Sequence, residues 1–285
     1  MKKQLRCENM VLAVLFIFTS AFSFAQERII TAGSALTETV CALGDCDKII
    51  ASDRTSLYPA HIQKLPSIGY RGGIQAEGII SLKPTLIIAE KDYVEDAVLQ
   101  QLRASGIKLV IVDRQYTIDD TKRFIAQIAA ALGRDAEGKK LIATIDRQIA
   151  DATAQLKKAK TNPKVLCIYN RGAATVSVAG KNTFGNILAY VGATSAVGDV
   201  EGYKPLNAEA LLASNPEYVV TLSSGLESIG GIDGLLKVPG MAQTTAGKQR
   251  QIVSIDGLKL TNFGPRVGET IQELVTLLHP ELRAK

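Results

Sequence analysis

The sequence has 285 residues, a formal net charge of +5, no Trp, and aromatic residues at only 5%. So mild a balance, without basic runs interleaved with aromatics, excludes a dedicated nucleic-acid binder. With so few aromatics the core must be aliphatic, and the length allows one large domain or two medium ones.

Residues 1–25 read as an export signal. Lys2, Lys3 and Arg6 form a basic start, and Met10 to Phe24 is an almost unbroken apolar run. Ser23 and Ala25 place small residues at −3 and −1 of a cut before Gln26. The run falls short of the roughly 20 residues that span a bilayer, and Cys7 precedes it, where it cannot carry a lipoprotein anchor. A soluble periplasmic protein is expected. Cleavage removes three basic residues and one acid, lowering the formal charge from +5 to +3.

The remaining chain alternates short apolar runs with amphipathic stretches, the pattern of βα units around parallel sheets. Strands are predicted at 28–31, 48–51, 85–89 and 108–112, with helices at 36–43, 76–82 and 96–105. Gly44, Pro84 and Gly106 punctuate them. Two strand-free helical stretches follow, 118–132 and 136–158; in the second, Leu141, Ile142, Ile145, Ile149, Ala152 and Leu156 recur at helical spacing. Strands then return at 164–169, 218–222 and 251–254, with helices at 183–191, 208–213 and 267–278.

The two halves repeat one another. Ala76-Glu77-Gly-Ile-Ile-Ser-Leu-Lys-Pro84 matches Ala208-Glu209-Ala-Leu-Leu-Ala-Ser-Asn-Pro216, with Glu and Pro at the same spacing. Ala32-Gly33 and Ala179-Gly180 each precede a helix closed by a glycine, Gly44 and Gly192. The expected fold is therefore α/β: two Rossmann-like lobes with parallel sheets, at 27–117 and 164–285, joined by helices at 118–163. A long helical connector predicts a cleft with limited hinge motion.

Cys41 and Cys46 sit at a helix end before a turn; outside the cytoplasm they form either a small-loop disulfide or two thiols. Cys167, in an apolar run, reads as a buried inert thiol. His61 and His279 have no cysteine neighbour, which argues against a zinc site. No nucleophile elbow, metalloprotease helix or phosphate loop occurs, and Gly72-Gly73 and Gly230-Gly231 lack a dinucleotide-binding context. Binding is favoured over turnover, so an enzyme is not expected.

Six stretches then become specific. Leu65-Pro-Ser-Ile-Gly69-Tyr70, the Ala76-Glu77 element, Glu201-Gly-Tyr203-Lys-Pro205-Leu, Gly230-Gly-Ile-Asp-Gly234-Leu-Leu, Pro239-Gly240 and Phe263-Gly-Pro265-Arg266 resemble the periplasmic haem-binding proteins of haem ABC transporters. These belong to the class III group whose lobes are joined by one helix, which also includes siderophore and cobalamin binders. The resemblance implies haem as transported ligand, an inner-membrane permease with its ATPase as partner, and an outer-membrane haem receptor system upstream. It places the iron-ligating tyrosine on Tyr70.

The chemistry agrees, since a phenolate oxygen is a hard ligand for ferric iron, and Gly69 and Arg71-Gly72-Gly73 make a turn able to present it. An adjacent Arg71 guanidinium favours the phenolate. The relatives usually carry that Arg one position later, and some carry a His where Arg171 stands in the second half. A charged Arg cannot ligate iron but pairs with a propionate, so a Tyr-only site is expected, with Arg71 and Arg171 as propionate or phenolate contacts. Ser224 replaces an Arg often found before the Gly-Leu-Glu element. Tyr203 is either an opposing contact or a packed hinge residue. Glu77 and Glu209 fit helix N-termini by charge alone; the resemblance adds permease docking, one Glu per lobe. A corrinoid or ferric-siderophore receptor and a secreted cleft enzyme are the rival readings.

Overall fold

The computed structural model describes residues 27–170 and 176–283; the expected export signal and Arg171 lie outside the described residues. The first half runs β1 (Ile29–Ala32), α1 (Ser34–Ala42), β2 (Ile49–Ser52), α2 (Ala76–Ser81), β3 (Leu86–Glu90), α3 (Asp96–Ala104) and β4 (Lys108–Val112). Its four strands are parallel, in the order β2-β1-β3-β4. A parallel sheet is covered on both faces, so its central strands read as near-continuous apolar runs rather than alternating ones. Leu86 and Ile88 of β3 accordingly enter one cluster, and Ile87 and Ala89 the opposite one.

Two helices follow, α4 (Ile118–Leu132) and α5 (Asp135–Leu156). Thr117 caps α4 by accepting from the Asp120 amide at 3.2 Å, and Gly133 closes it with φ 66°. With 22 residues, α5 is about 33 Å long. A Cβ on Gly138 would stand 2.6 Å from the Ala129 Cβ, so the close approach of α5 to α4 requires glycine there.

The second half contains β5 (Lys164–Asn170), β6 (Val176–Ala179), a 3-10 stretch (Phe184–Tyr190), β7 (Thr194–Ser195), β8 (Tyr203–Pro205), α6 (Ala208–Ser214) and β9 (Tyr218–Leu222). It continues with α7 (Ser223–Ser228), α8 (Gly231–Leu235), α9 (Thr245–Gln249), β10 (Ile252–Ile255), α10 (Gly257–Thr261) and α11 (Val267–Leu278). Its sheet, ordered β10-β9-β5-β6-β8 with β7 beside β5, is mixed rather than purely parallel as the sequence pattern predicts. The cause is β5, which serves two pairings. Val165 to Cys167 run parallel to β9, while Ile168 to Asn170 pair antiparallel with β6. β8 then adds antiparallel to β6 as an edge strand, exposed along its length and ending in Pro205. Residues 183–191, predicted as an α-helix, form the 3-10 stretch capped by Thr183.

Each sheet keeps a private apolar cluster on one face, and one cluster shared by both halves joins the other faces. The shared cluster gathers Ile29 and Ile88, then Phe124 and Ile128 of α4, Ile145 of α5, Val165, Phe263, and Ile271 and Leu274 of α11. Polar bonds reinforce this joint around Asn262-Phe263-Gly264-Pro265-Arg266. Thr121 Oγ1 donates to the Phe263 carbonyl at 2.8 Å, and Arg114 donates to the Asn262 carbonyl at 2.8 Å. Arg266 grips buried Glu38 with two bonds of 2.7 and 3.0 Å. Burial works against the Arg266 charge, but Glu38, with Asp256 and Tyr58, holds its pKa above the ordinary guanidinium value. Cys41 and Cys46 form a disulfide at the end of α1, and Cys167 is buried with its thiol pushed up to about 12.

Candidate ligand-binding cleft

The carboxyl ends of β2, β5, β9 and β10 meet around a concavity of about 710 Å³. This is where open α/β sheets collect ligands, and the volume suits a sizeable small molecule. It exceeds a depression of about 440 Å³ between Asn162, Glu217 and Glu281, which none of the expected site residues lines.

One wall comes from the first half. After β2 the chain carries Asp53 and Arg54, then returns along it: the Ile68 amide donates to Ser52 O at 2.9 Å, and the Arg54 amide to Gly69 O at 2.9 Å. Gly69, at φ 101°, turns the chain so that Tyr70 stands at the cleft with 36% of its surface exposed. Arg71 follows in the left-handed region at φ 40°. Two guanidinium groups flank the Tyr70 ring, Arg54 at 5.6 Å and Arg71 at 5.8 Å from its centroid. Leu57 and Tyr58, also exposed, extend an apolar surface along the same wall, with Arg266 stacked 3.8 Å from the Tyr58 centroid.

A buried polar cluster supports this wall. Asp53 accepts from the Gly33 amide (2.9 Å), Ser56 Oγ (2.6 Å), the Thr55 amide (2.7 Å) and Tyr93 OH (2.5 Å), and Thr55 Oγ1 also donates to it. The Tyr93 ring meets Tyr70 edge-on at 6.3 Å, and Arg71 lies 4.9 Å over it. Burial first, then the Asp53 carboxylate, push the Tyr93 phenol well above its ordinary value, keeping it a neutral donor. Tyr93 is therefore a support for Tyr70, while Tyr70 faces the cleft.

The opposite wall is built by Tyr169 and Asn170 at the end of β5, Ser223, Ser224 and Glu227 of α7, and Asp256 to Leu258 entering α10. Tyr169 lines the cleft, and the Tyr203 ring packs against it, tilted, at 5.0 Å, itself backed by Phe184 at 6.3 Å. Asn170 is buried; its Nδ2 donates to Gly225 O at 2.8 Å, whereas its Oδ1 has no hydrogen-bond partner among the described residues. An unmet buried acceptor costs about 1–3 kcal/mol, and a ligand donor would relieve it.

The structure thus brings Tyr70 to the cleft with Arg71 beside its ring but outside the cavity lining, sets Tyr203 behind Tyr169, and places Glu77 and Glu209 elsewhere, exposed in the first turns of α2 and α6. Sequence reasoning missed Arg54, Tyr58, Tyr93 and Tyr169. Arg54 was recoverable from its place two residues beyond a strand's carboxyl end, and Tyr169 from its place at the carboxyl end of a strand of the second half. Among the described residues no cluster of three or more His, Cys, Asp or Glu could hold a bare metal ion. Neither histidine lines the cleft: His279 is buried with Nε2 2.8 Å from Val191 O, and His61 is exposed beside Cys46.

Three comparisons place this architecture. A family model described as "Periplasmic binding protein" matches residues 29–257. Among solved structures, the periplasmic heme-binding protein RhuT from Roseiflexus sp. RS-1 is 36% identical with a TM-score of 0.85, covering 90% of this chain and 100% of that one. The periplasmic heme-binding protein HutB of Vibrio cholerae is 34% identical with a TM-score of 0.82, again covering 90% and 100%. Among curated sequences, the vitamin B12-binding protein of Photorhabdus laumondii is 28% identical over 220 residues, 75% of this chain and 78% of that protein. The chain belongs to the periplasmic binding protein family, two-lobed α/β proteins that serve ABC importers as their substrate-binding components.

Proposed function

We propose that this protein binds ferric haem in its cleft, with the Tyr70 phenolate as axial ligand, and delivers it to an inner-membrane ABC permease. The observation that carries the reading is Tyr70 itself, an exposed phenol set on a left-handed turn between two guanidinium groups. A phenolate ligates ferric haem iron, and Arg54 and Arg71 supply cationic partners for it and for the propionates. Leu57, Tyr58 and Tyr169 offer the apolar and aromatic surface that a porphyrin plane needs. Arg171 is a further propionate contact in this reading, and Tyr203 holds Tyr169 in place. Residues 1–25 act as a cleavable export signal, and the lobes divide as 27–117 and 164–285 around the linking helices. Glu77 and Glu209 dock the two lobes onto the permease.

The named relatives support haem over other cargo: the haem-binding structures match at 34–36% identity over 90% of this chain, the vitamin B12-binding protein at 28% over 75%. Cobalamin remains the second reading because of that relative, and it gives Tyr70 and its guanidiniums no iron to serve. Thermal melting of the purified full chain with haemin, cyanocobalamin or ferric citrate separates these readings. A ligand bound only by the native state at a hundred times its Kd adds about 2.7 kcal/mol of stability. Haemin alone is expected to raise the Tm; a rise with cyanocobalamin and none with haemin overturns the haem reading.

A further inference from the structure

The described residues carry seven large apolar or aromatic side chains that are notably exposed. Leu57, Tyr58 and Tyr70 belong to the cleft, and Tyr203 packs against Tyr169. Of the remaining three, Ile111 sits on β4 at the sheet edge, while Ile80 (38% exposed) and Leu212 (46%) occupy equivalent positions in the repeat. Each stands three residues after its glutamate, Glu77 or Glu209, and so one helical turn along the same face.

The correspondence reaches the backbone. Residues 77–84 and 209–216 share one burial pattern position by position, with Ile79 and Leu211 turned inward and Ile80 and Leu212 outward. Both helices end on a left-handed residue before the proline, Lys83 at φ 50° and Asn215 at φ 36°. Gly78 and Ser81 on one helix, and Ala210 and Ala213 on the other, are small and exposed, leaving the Glu and the apolar side chain standing proud. Among the described residues, neither glutamate has an ion-pair partner, and both are exposed. Packing needs do not explain an exposed aliphatic residue at this place twice.

We propose that Ile80 and Leu212 are the apolar anchors of a two-point docking surface, each paired with its glutamate, for a membrane partner made of two identical subunits. Every subunit would offer a cationic side chain to the carboxylate and an apolar pocket beside it, because a feature presented twice fits a partner that presents its complement twice. This rests on the importer reading above and adds the apolar half of the contact. Charges at an interface govern association rate and orientation, whereas buried apolar anchors hold the complex once formed.

The test measures association of the full chain with its permease–ATPase complex in nanodiscs across a range of salt. Ile80→Ala combined with Leu212→Ala is expected to weaken binding more than tenfold, through faster dissociation, with the salt dependence unchanged. Glu77→Gln combined with Glu209→Gln is expected instead to slow association and flatten the salt dependence. Alanine is the best helix former, so Tm and haemin binding should match wild type; each single alanine variant, with half the surface intact, guards against a folding defect in the double. Wild-type dissociation by the Ile80 and Leu212 double variant overturns the proposal. Failure to bind haemin while the docking pattern holds overturns only the cargo reading.

Discussion

The two walls of the cleft differ in kind. The first presents an exposed phenol and the Arg54 guanidinium, with Arg71 beside the phenol ring, backed by a buried carboxylate–hydroxyl cluster. The second presents an aromatic pair, an unpartnered amide oxygen and two acids, Glu227 and Asp256, carried by short helices. Coordination and charge neutralisation are concentrated on the first wall, and shape and stacking on the second. An anionic planar ligand should therefore be captured by the first lobe and covered by the other.

The largest expected effect comes from unfastening the walls. Glu38→Ala removes the close carboxylate partner of Arg266 and leaves only Asp256 at 3.8 Å, and breaking a buried pair typically costs about 3–5 kcal/mol. Urea unfolding should show a loss near the lower end of that range, because Arg266 keeps some exposure. Unchanged stability would mean that the apolar cluster alone joins the halves.

Next come the cations of the first wall. Arg54→Ala and Arg71→Ala should each speed haemin transfer to apomyoglobin roughly tenfold, in line with a charge-assisted bond of about 1.5 kcal/mol. On the second wall, Tyr169→Ala should cost less, roughly fivefold, since an aromatic contact contributes about 0.5–1.5 kcal/mol. If the second-wall variant loses haemin faster than either arginine variant, the division of labour is reversed.

The smallest effect is acid stability remote from the cleft. Asp45 is buried, and although burial opposes its charge, Arg134 and Lys48 hold its pKa below the ordinary 3.8. Its contribution is fully present above about pH 3.8 and is lost as pH falls through the depressed folded-state value. An acid titration followed by circular dichroism should find that component missing in Asp45→Asn. Haemin binding at neutral pH should match wild type.

Much of this was legible in the sequence for identifiable reasons. β1, β3 and β9 are largely apolar runs because both faces are covered, and α11 falls at the 267–278 boundaries that its periodicity predicts. The antiparallel strands β6 and β8 were not legible: one has four residues, and the other is exposed throughout and ends in proline. Tyr70 was found through its turn and its resemblance. Arg54, Tyr93 and Tyr169 were not, because they meet Tyr70 or the cleft only once the segments after β2 and β3 face the end of β5, which lies in the other sheet. Phe263-Gly-Pro265-Arg266 was recognised as a motif, but its position in the joint between the halves depends on Glu38 and Thr121, each more than a hundred residues away in sequence.

The most direct test of the central claim is the absorption spectrum of the purified protein titrated with haemin, for wild type and Tyr70→Phe. The wild type should give a shifted Soret band with the charge-transfer features of a high-spin ferric phenolate. The Tyr70→Phe variant keeps the ring and loses only the oxygen, so those features should vanish even where some apolar association persists. An unchanged spectrum in Tyr70→Phe would contradict the account and move the iron to another phenol, Tyr58 or Tyr169 being those that line the cleft.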